Sequence, residues 1–471
     1  MPEIGHTIRA LYMTDYRLSN QIGVYRGELH RELNPTWLCA VLASQGLLPP
    51  RSRGARYLDI GCGTGIDVIA LACANPDMHF TGVDPDPQHI GRALELAGRL
   101  SLPNVSFIQG GFDDPRIGKN YDYVVAHGLY AWLSEQKRME FRQMFAGAID
   151  PGGIGVLHYL VEPGAHLWRT LRAILSGLVE HLSVRDALAE MARMAEDKWG
   201  VFASLPGVRG IIETISGWPE EVLQHDLLNS HYIAEPSPVL MANLARLGLT
   251  FAASADPLAN HDVFSLPGGL PHPAPQSRAH RAGLSDIATG RLSRIDIFAP
   301  NVQRIPAPQL PVMLDGLSFA LMPGRLQVAG FYVPTAFGQI EPAPAMADAV
   351  LKQLRQRPTT VRMLVEMPMF SGNLPELFTL LSGMMAVGLV HPLRGIRQDP
   401  VFAARFNALA MQQMLDAVIP GPVSVFTGGV ISVGSDMSPA RSGEIASLIE
   451  MDRAGFFSPI RYLPYYDPSV A

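Results

Sequence analysis

The chain is poor in cysteine, in charge and in long apolar runs. Its three cysteines, Cys39, Cys62 and Cys73, form no CxxC pair and no even set among 471 residues. That pattern argues against a disulfide framework and a zinc–thiolate site, and it fits a reducing compartment. Charged residues are only 17% of the chain and sum to −6. A protein that grips a phosphate backbone carries a basic excess, so the balance disfavours nucleic acid as a partner. The most apolar stretch, "FTLLSGMMAVGLV" (378–390), is shorter than the roughly 20 residues a membrane-spanning helix needs, and it predicts a buried helix instead. The opening "MPEIGHTIRALYMTDYR" has no apolar core of the signal-peptide kind. These features predict a cytoplasmic protein with no membrane partner.

What is abundant is core-forming material. Hydrophobic residues reach 48%, enough for several folded units, and the length predicts about three domains. Residues 1–50 carry helical patterning, with Asn34 as an N-cap and Pro35 at the first helical position. Strand-like runs follow at 56–60, 79–84, 105–110, 121–128 and 153–160, separated by helical runs at 66–74, 87–100 and 134–149. This alternation predicts an α/β domain at 51–164, built of βαβ units around a parallel sheet with both faces covered. Residues 165–260 have helical patterning with no clear strand, and predict a regulatory or dimerising region. The run 261–286 is dense in Pro, Gly and Ser and predicts a linker. A mixed α+β stretch at 287–345 and a C-terminal unit at 346–471, with helices leading into a strand in the manner of a winged helix, complete the organisation.

The stretch "YLDIGCGTGID" (57–67) carries the chemistry. Gly61, Gly63 and Gly65 fall between an apolar strand and a helix, where bare backbone lets a ligand approach and the helix N-terminus presents its N–H groups. A dinucleotide site would space its glycines as G-x-G-x-x-G with a ribose acid about 20 residues on, and here the third glycine comes one residue early. The alternative is an S-adenosylmethionine loop. Asp59, two residues before the first glycine, suits a ligand bearing an ammonium and a sulfonium. Asp84, closing the second strand, can accept from both ribose hydroxyls. Cys62 and Pro85 stand beside these groups, and Gly111 and Phe112 follow the third strand, where the aromatic ring can stack on adenine.

"LDIGCGTG", "GVDPDPQHI", "LPNVSFIQG" and "YDYVVAHGLYAWLS…AIDPGG" resemble class I S-adenosylmethionine-dependent methyltransferases across roughly 55–160. "HGLYAWLS" is similar to the HGVYSWVP signature of bacterial methyltransferases that carry a methyltransferase regulatory domain, and "LHYLVEPGAH" to their SYNTLPGW segment. "LQHDLLNSHYIAEPSPVLMANLARLGLTFAASADP" (223–257) resembles a further stretch of the same group, which includes rickettsial-type protein-lysine methyltransferases. The resemblance spans about 50–345. It implies a Rossmann-like sheet domain that uses S-adenosylmethionine, with a protein or peptide acceptor, lysine favoured, and a homodimer. Two positions depart from the group. Leu160 replaces an asparagine, and the acid after the third strand is displaced to Asp113.

The acceptor of such an enzyme sits beyond the C-terminal edge of the fourth strand. His127, Tyr130 and Trp132 lie there, with Tyr159 near the end of the fifth strand. Tyr159, His127 and Tyr130 are the candidate catalytic residues, and His127 is also within reach of the cofactor. "HDLLNSHY" brings His225, Asp226, Asn229 and His231 together, but without three converging ligands it predicts no metal site. An N- or O-methyltransferase of a peptide or natural product, and a non-catalytic S-adenosylmethionine-binding regulator, remain as alternatives.

Overall fold

The computed structural model describes residues 29–205, 207–218, 220, 223–229, 231–268, 277–322 and 331–394, together with short stretches between 401 and 432. The winged-helix expectation for 346–471 and the helical expectation for 1–28 therefore fall largely outside the described residues.

Helix α1 (Pro35–Ser44) starts where the sequence predicts: the Asn34 side chain accepts from the Thr36 N–H at 3.0 Å, and proline occupies the first turn. The strands β1 (Arg56–Ile60), β2 (His79–Asp84), β3 (Val105–Gln109), β4 (Tyr121–Ala126) and β5 (Ile149–Glu162) are all parallel. Helices α2 (Ile66–Ala74), α3 (Pro87–Leu100) and α4 (Glu135–Ala148) cross between them. The sheet order is β3-β2-β1-β4-β5, which places the strand C-termini along one edge.

The sheet does not end at residue 164. Beyond β5 it continues with two strands supplied much later, β7 (Thr250–Ser254) and β8 (Ser293–Ala299), both paired antiparallel through β8. A short strand, β6 (Ala234–Pro236), extends the end of β5. Strands thus lie inside 165–260, where helical patterning masked them. The expected linker also carries structure, since helix α9 (Arg278–Thr289) begins behind a Ser277 N-cap. Between β5 and β6, three helices, α5 (His166–Leu178), α6 (Val184–Glu196) and α7 (Val208–Ser216), bury their own core of Leu171, Leu188, Met191 and Ile212. Helix α8 (Ser237–Ala245) follows β6.

One face of the main sheet packs Tyr57, Tyr123, Val125 and Val156 against α1 and α2. The other packs Leu58, Val124, Leu157 and Tyr159 against α4, α8 and α9. A second, three-stranded sheet joins β9 (Leu317–Leu321) to Thr359–Thr360 on one side and to Val390–Arg394 on the other. The apolar run at 378–390 is a buried helix over Leu374–Ala386, as expected. Arg394 fastens this sheet to the first domain, donating to Asn75 Oδ1 at 2.8 Å and Asp77 Oδ1 at 2.9 Å.

The late strands are locked by a buried ionic network. Arg294 pairs with Asp296 at 2.7 Å and with Asp286 at 2.7 Å, all three fully buried, and Ser237 donates to Asp286. Removing the cation strands two carboxylates in a dry interior, which typically costs ~3–5 kcal/mol. Arg294→Ala is therefore expected to lower unfolding stability by about that amount in a denaturant titration.

Candidate active site

The glycine loop is shaped by backbone that only glycine adopts freely. Gly61, Gly63 and Gly65 have φ of 78°, 54° and 73°. Gly65 caps α2, and a Cβ there would stand 2.8 Å from Ala93 Cβ and 2.8 Å from the Phe107 ring. Gly63 faces open space, with nothing within 4 Å of an added Cβ. Asp84 holds the loop: Oδ2 accepts from the Gly63 N–H at 2.9 Å, and Oδ1 accepts from the Asp86 N–H at 2.9 Å. His89 stands 3.1 Å from the same Oδ1.

Asp59 is buried directly below the loop, at 4% exposure. Its carboxyl is pushed well above the usual carboxylate range, first by burial and then by the negative charges of Asp67 and Asp84. A buried acid in the field of two others accommodates a cationic ligand. The bare loop beside it leaves room for backbone contact, so the residues present fit S-adenosylmethionine.

Sheet order aligns the other candidates along the same edge. Asp84 is in register with Gln109, so Gly111 and Phe112 follow one strand over, and exposed Pro85 lies immediately past β2. Phe112 packs edge-on to Phe141 at 5.7 Å with the Lys137 ammonium 5.5 Å from its ring centre. On the other side, Asp59 pairs with Val125 and Val125 with Val156. One step further along the strands, the same row reads Gly61, His127 and His158.

Three histidines meet there. The His127 ring lies 3.8 Å from the His30 ring and 4.3 Å from the His158 ring, centroid to centroid. Asp67, in the first turn of α2, accepts from the His30 backbone N–H at 2.8 Å and pairs with its Nδ1 at 2.9 Å. The Gly128 N–H donates to His158 Nδ1 at 3.3 Å, so the proton of that ring sits on Nε2. Burial pushes both rings down: His127 well below the usual histidine value, and His158 to about 3, with the charge at His30 adding to the effect. His30 and His158 were absent from the sequence-derived candidates. The available signal was strand alternation, which puts His158 on the face of His127.

The same alternation removes Tyr159 from the acceptor side. It is fully buried on the opposite face of β5, and its hydroxyl donates to Asp296 at 2.6 Å. Its role is to hold β5 to β8. Tyr130 is likewise buried, donating to Glu235 Oε1 at 2.9 Å and accepting from Arg142 at 3.1 Å. Trp132 packs on Tyr232, whose ring carries the Arg172 guanidinium 4.4 Å from its centre. Arg172 also donates to the carbonyls of Asp226 and Asn229, which ties that part of "HDLLNSHY" to α5. Among the described residues, no group of three His, Cys, Asp or Glu converges as metal ligands. Leu160 packs with Ala131 and Ala165.

A family model described as "Methyltransferase domain" matches residues 51–176. The chain carries a class I methyltransferase domain. Its methyl donor is S-adenosylmethionine. The structure is similar to PKMT2 from Rickettsia typhi, with a TM-score of 0.65 and 16% identity over 93% of this chain and 99% of that one. It is also similar to PKMT2 in complex with AdoHcy, with a TM-score of 0.64 and 17% identity over 87% and 86%. An uncharacterized Synechocystis protein is 23% identical over 78% of this chain and 75% of its own length. The release factor glutamine methyltransferase of Salmonella typhimurium is 29% identical over 27% of this chain and 47% of its own. No described helix of this methyltransferase is long and apolar enough to cross a membrane.

Two outcomes follow. Gly65→Ala is expected to cost about 1–3 kcal/mol by urea unfolding, from a left-handed φ and a clash with Ala93 and Phe107 together. Acid is expected to destabilise the methyltransferase. His158 at about 3, the half-buried His261 at about 4 and the buried His391 at about 4 have folded values below the unfolded value. Between about pH 6.5 and 4 the unfolded chain therefore binds more protons, and stability falls as pH drops through that window. Calorimetry at stepped pH reads this as a falling Tm, with a shallower slope in His158→Gln.

Proposed function

We propose that this methyltransferase transfers methyl to the side-chain nitrogen of a lysine in a protein. The comparisons include a protein-glutamine and a ribosomal RNA methyltransferase, so the domain alone leaves the acceptor open. The observation that carries the choice is the surface around the acceptor edge. Beyond β4 and β5, the helical block α5–α7 is joined to the sheet through the Ile233 N–H to Ala131 carbonyl bond at 2.9 Å and through the Arg172, Tyr232 and Trp132 contacts. It places an additional folded block beside that edge, which a macromolecular acceptor can use and a small acceptor does not require. The similarity to PKMT2 over almost the whole chain supports the same choice.

In this reading, Asp59 faces the ammonium of the cofactor, the Gly61–Gly65 backbone lies along its methionine part, Asp84 accepts from the ribose hydroxyls, and Phe112 borders the adenine. The bound cofactor supplies a sulfonium methyl: a C–N bond forms as the C–S bond breaks, the electron pair goes to sulfur, and the positive charge passes to nitrogen. The protein's task is to present a neutral amine in line and to exclude water. Holding a lysine neutral at pH 7 against a pKa of ~10.4 costs about 4–5 kcal/mol, which a desolvated pocket beside a cation supplies.

Incubating the purified protein with methyl-tritiated S-adenosylmethionine and a proteome extract should place the label in protein, recovered as methyl-lysine after acid hydrolysis. Asp84→Asn should abolish it. Label confined to small molecules or to RNA would overturn the lysine acceptor.

A further inference from the structure

We propose that His127 is the group that receives the acceptor: held between His30 and His158, its imidazole accepts a hydrogen bond from an N–H of the incoming amine and leaves the nitrogen lone pair free to face the methyl donor. The proposal rests on the amine acceptor described above.

Position comes first. His127 follows β4 on the sheet face that also bears Asp59, one step C-terminal to the row Asp59, Val125, Val156, and so beside Gly61 at the mouth of the glycine loop. The methyl donor lodged on that loop and an acceptor beyond β4 meet at this point. His127 is half-buried rather than sealed. Neither of its ring nitrogens has a hydrogen-bond partner among the described residues, although the rings on both sides of it are hydrogen-bonded.

Chemistry comes second. A neutral imidazole always offers one bare nitrogen lone pair, whichever tautomer it takes, whereas an imidazolium offers only donors and repels an amine. The stack keeps His127 in the first state. Burial, the charge at His30 and the His158 ring all disfavour a proton on it. Asp67 from α2 anchors His30 at one end of this row, and the Gly128 N–H fixes the ring of His158. Asp59 from β1 also lies on this face, below the loop, with Tyr57 and Tyr123 deeper in the core. His30, His158 and Asp67 act through His127, and are positioning residues. The two neighbouring rings, tilted by 38° and 30° at centroid distances of 3.8 and 4.3 Å, restrict how the His127 ring can turn.

The test uses the full-length protein saturated with S-adenosylhomocysteine, with histidines labelled at Cε1 and the His127 signal assigned from His127→Gln. NMR between about pH 6 and 9 should show a His127 resonance that does not titrate. At about pH 9 that resonance should shift on adding Nα-acetyl-lysine methyl ester, and stay still on adding its ε-trimethyl counterpart, which has no N–H. His30→Gln, a change at the half-exposed rim, should raise the pH at which His127 begins to titrate. In single-turnover transfer to poly-L-lysine, His127→Gln should slow methylation by about 100-fold while the cofactor Kd stays within about twofold, the loss typical of mis-positioning. A His127 signal that titrates near 6.5 and ignores the amine would overturn the proposal, as would a His127→Gln enzyme that methylates lysine at the wild-type rate. Lysine labelling that persists in that variant sinks His127 alone. An extract with no methyl-lysine in the wild type sinks the amine acceptor and His127 together.

Discussion

The parallel register of β1, β4 and β5 is the constraint on which the site depends. Because Asp59 pairs with Val125 and Val125 with Val156, the next row on that face is Gly61 and His127, just past β1 and β4, and His158, still within β5. A slip of one residue in β4 would turn His127 into the opposite core and bring an apolar side chain to the loop. The register is held from below by packing, with Tyr57 stacked near Tyr123 at 6.2 Å and Asp122 accepting from the Arg56 N–H at 2.8 Å. The chemistry at the edge is therefore fixed by residues that never touch a ligand.

A second layer of control comes from distant sequence. The sheet is completed by strands that follow an inserted helical block, and the buried Arg294, Asp286, Asp296 and Tyr159 network ties them to β5. Such a network contributes little net stability over an apolar core, but it tolerates few alternative pairings, because any other register would leave a buried charge alone. It fixes where the helical block leaves and re-enters the sheet, and hence where Trp132 and Tyr232 stand beside the acceptor edge.

What was legible in the sequence was local. The glycine loop, the acids at 59 and 84, the N-cap at Asn34 and the five parallel strands each rest on a few consecutive residues, and the structure contains those elements within a residue or two, apart from the longer β5. What was not legible depended on partners far along the chain. β7 and β8 read as parts of helical and mixed stretches because their pairing is with each other and with β5. Tyr159 looked like an acceptor contact until alternation along β5 and its bond to Asp296, 137 residues away, placed it in the core. His30 lies before α1 and is tied to the loop's helix by Asp67, 37 residues on, a contact no motif encodes.

The electrostatics of the edge draw these pieces together. Asp59, Asp67 and Asp84 would repel one another if all were charged and dry, and the burden falls on Asp59, the most deeply buried of the three. Asp67 is relieved by His30, and Asp84 by backbone N–H groups and His89, whereas Asp59 has no such side-chain partner among the described residues. On the other side, burial first and then the nearby His30 disfavour protons on the rings of His127 and His158. The His30–Asp67 contact at the mouth of α2 thus stands between the buried acid Asp59 on one side and uncharged imidazoles on the other. That division suits a reaction in which a charged donor and an uncharged nucleophile must meet.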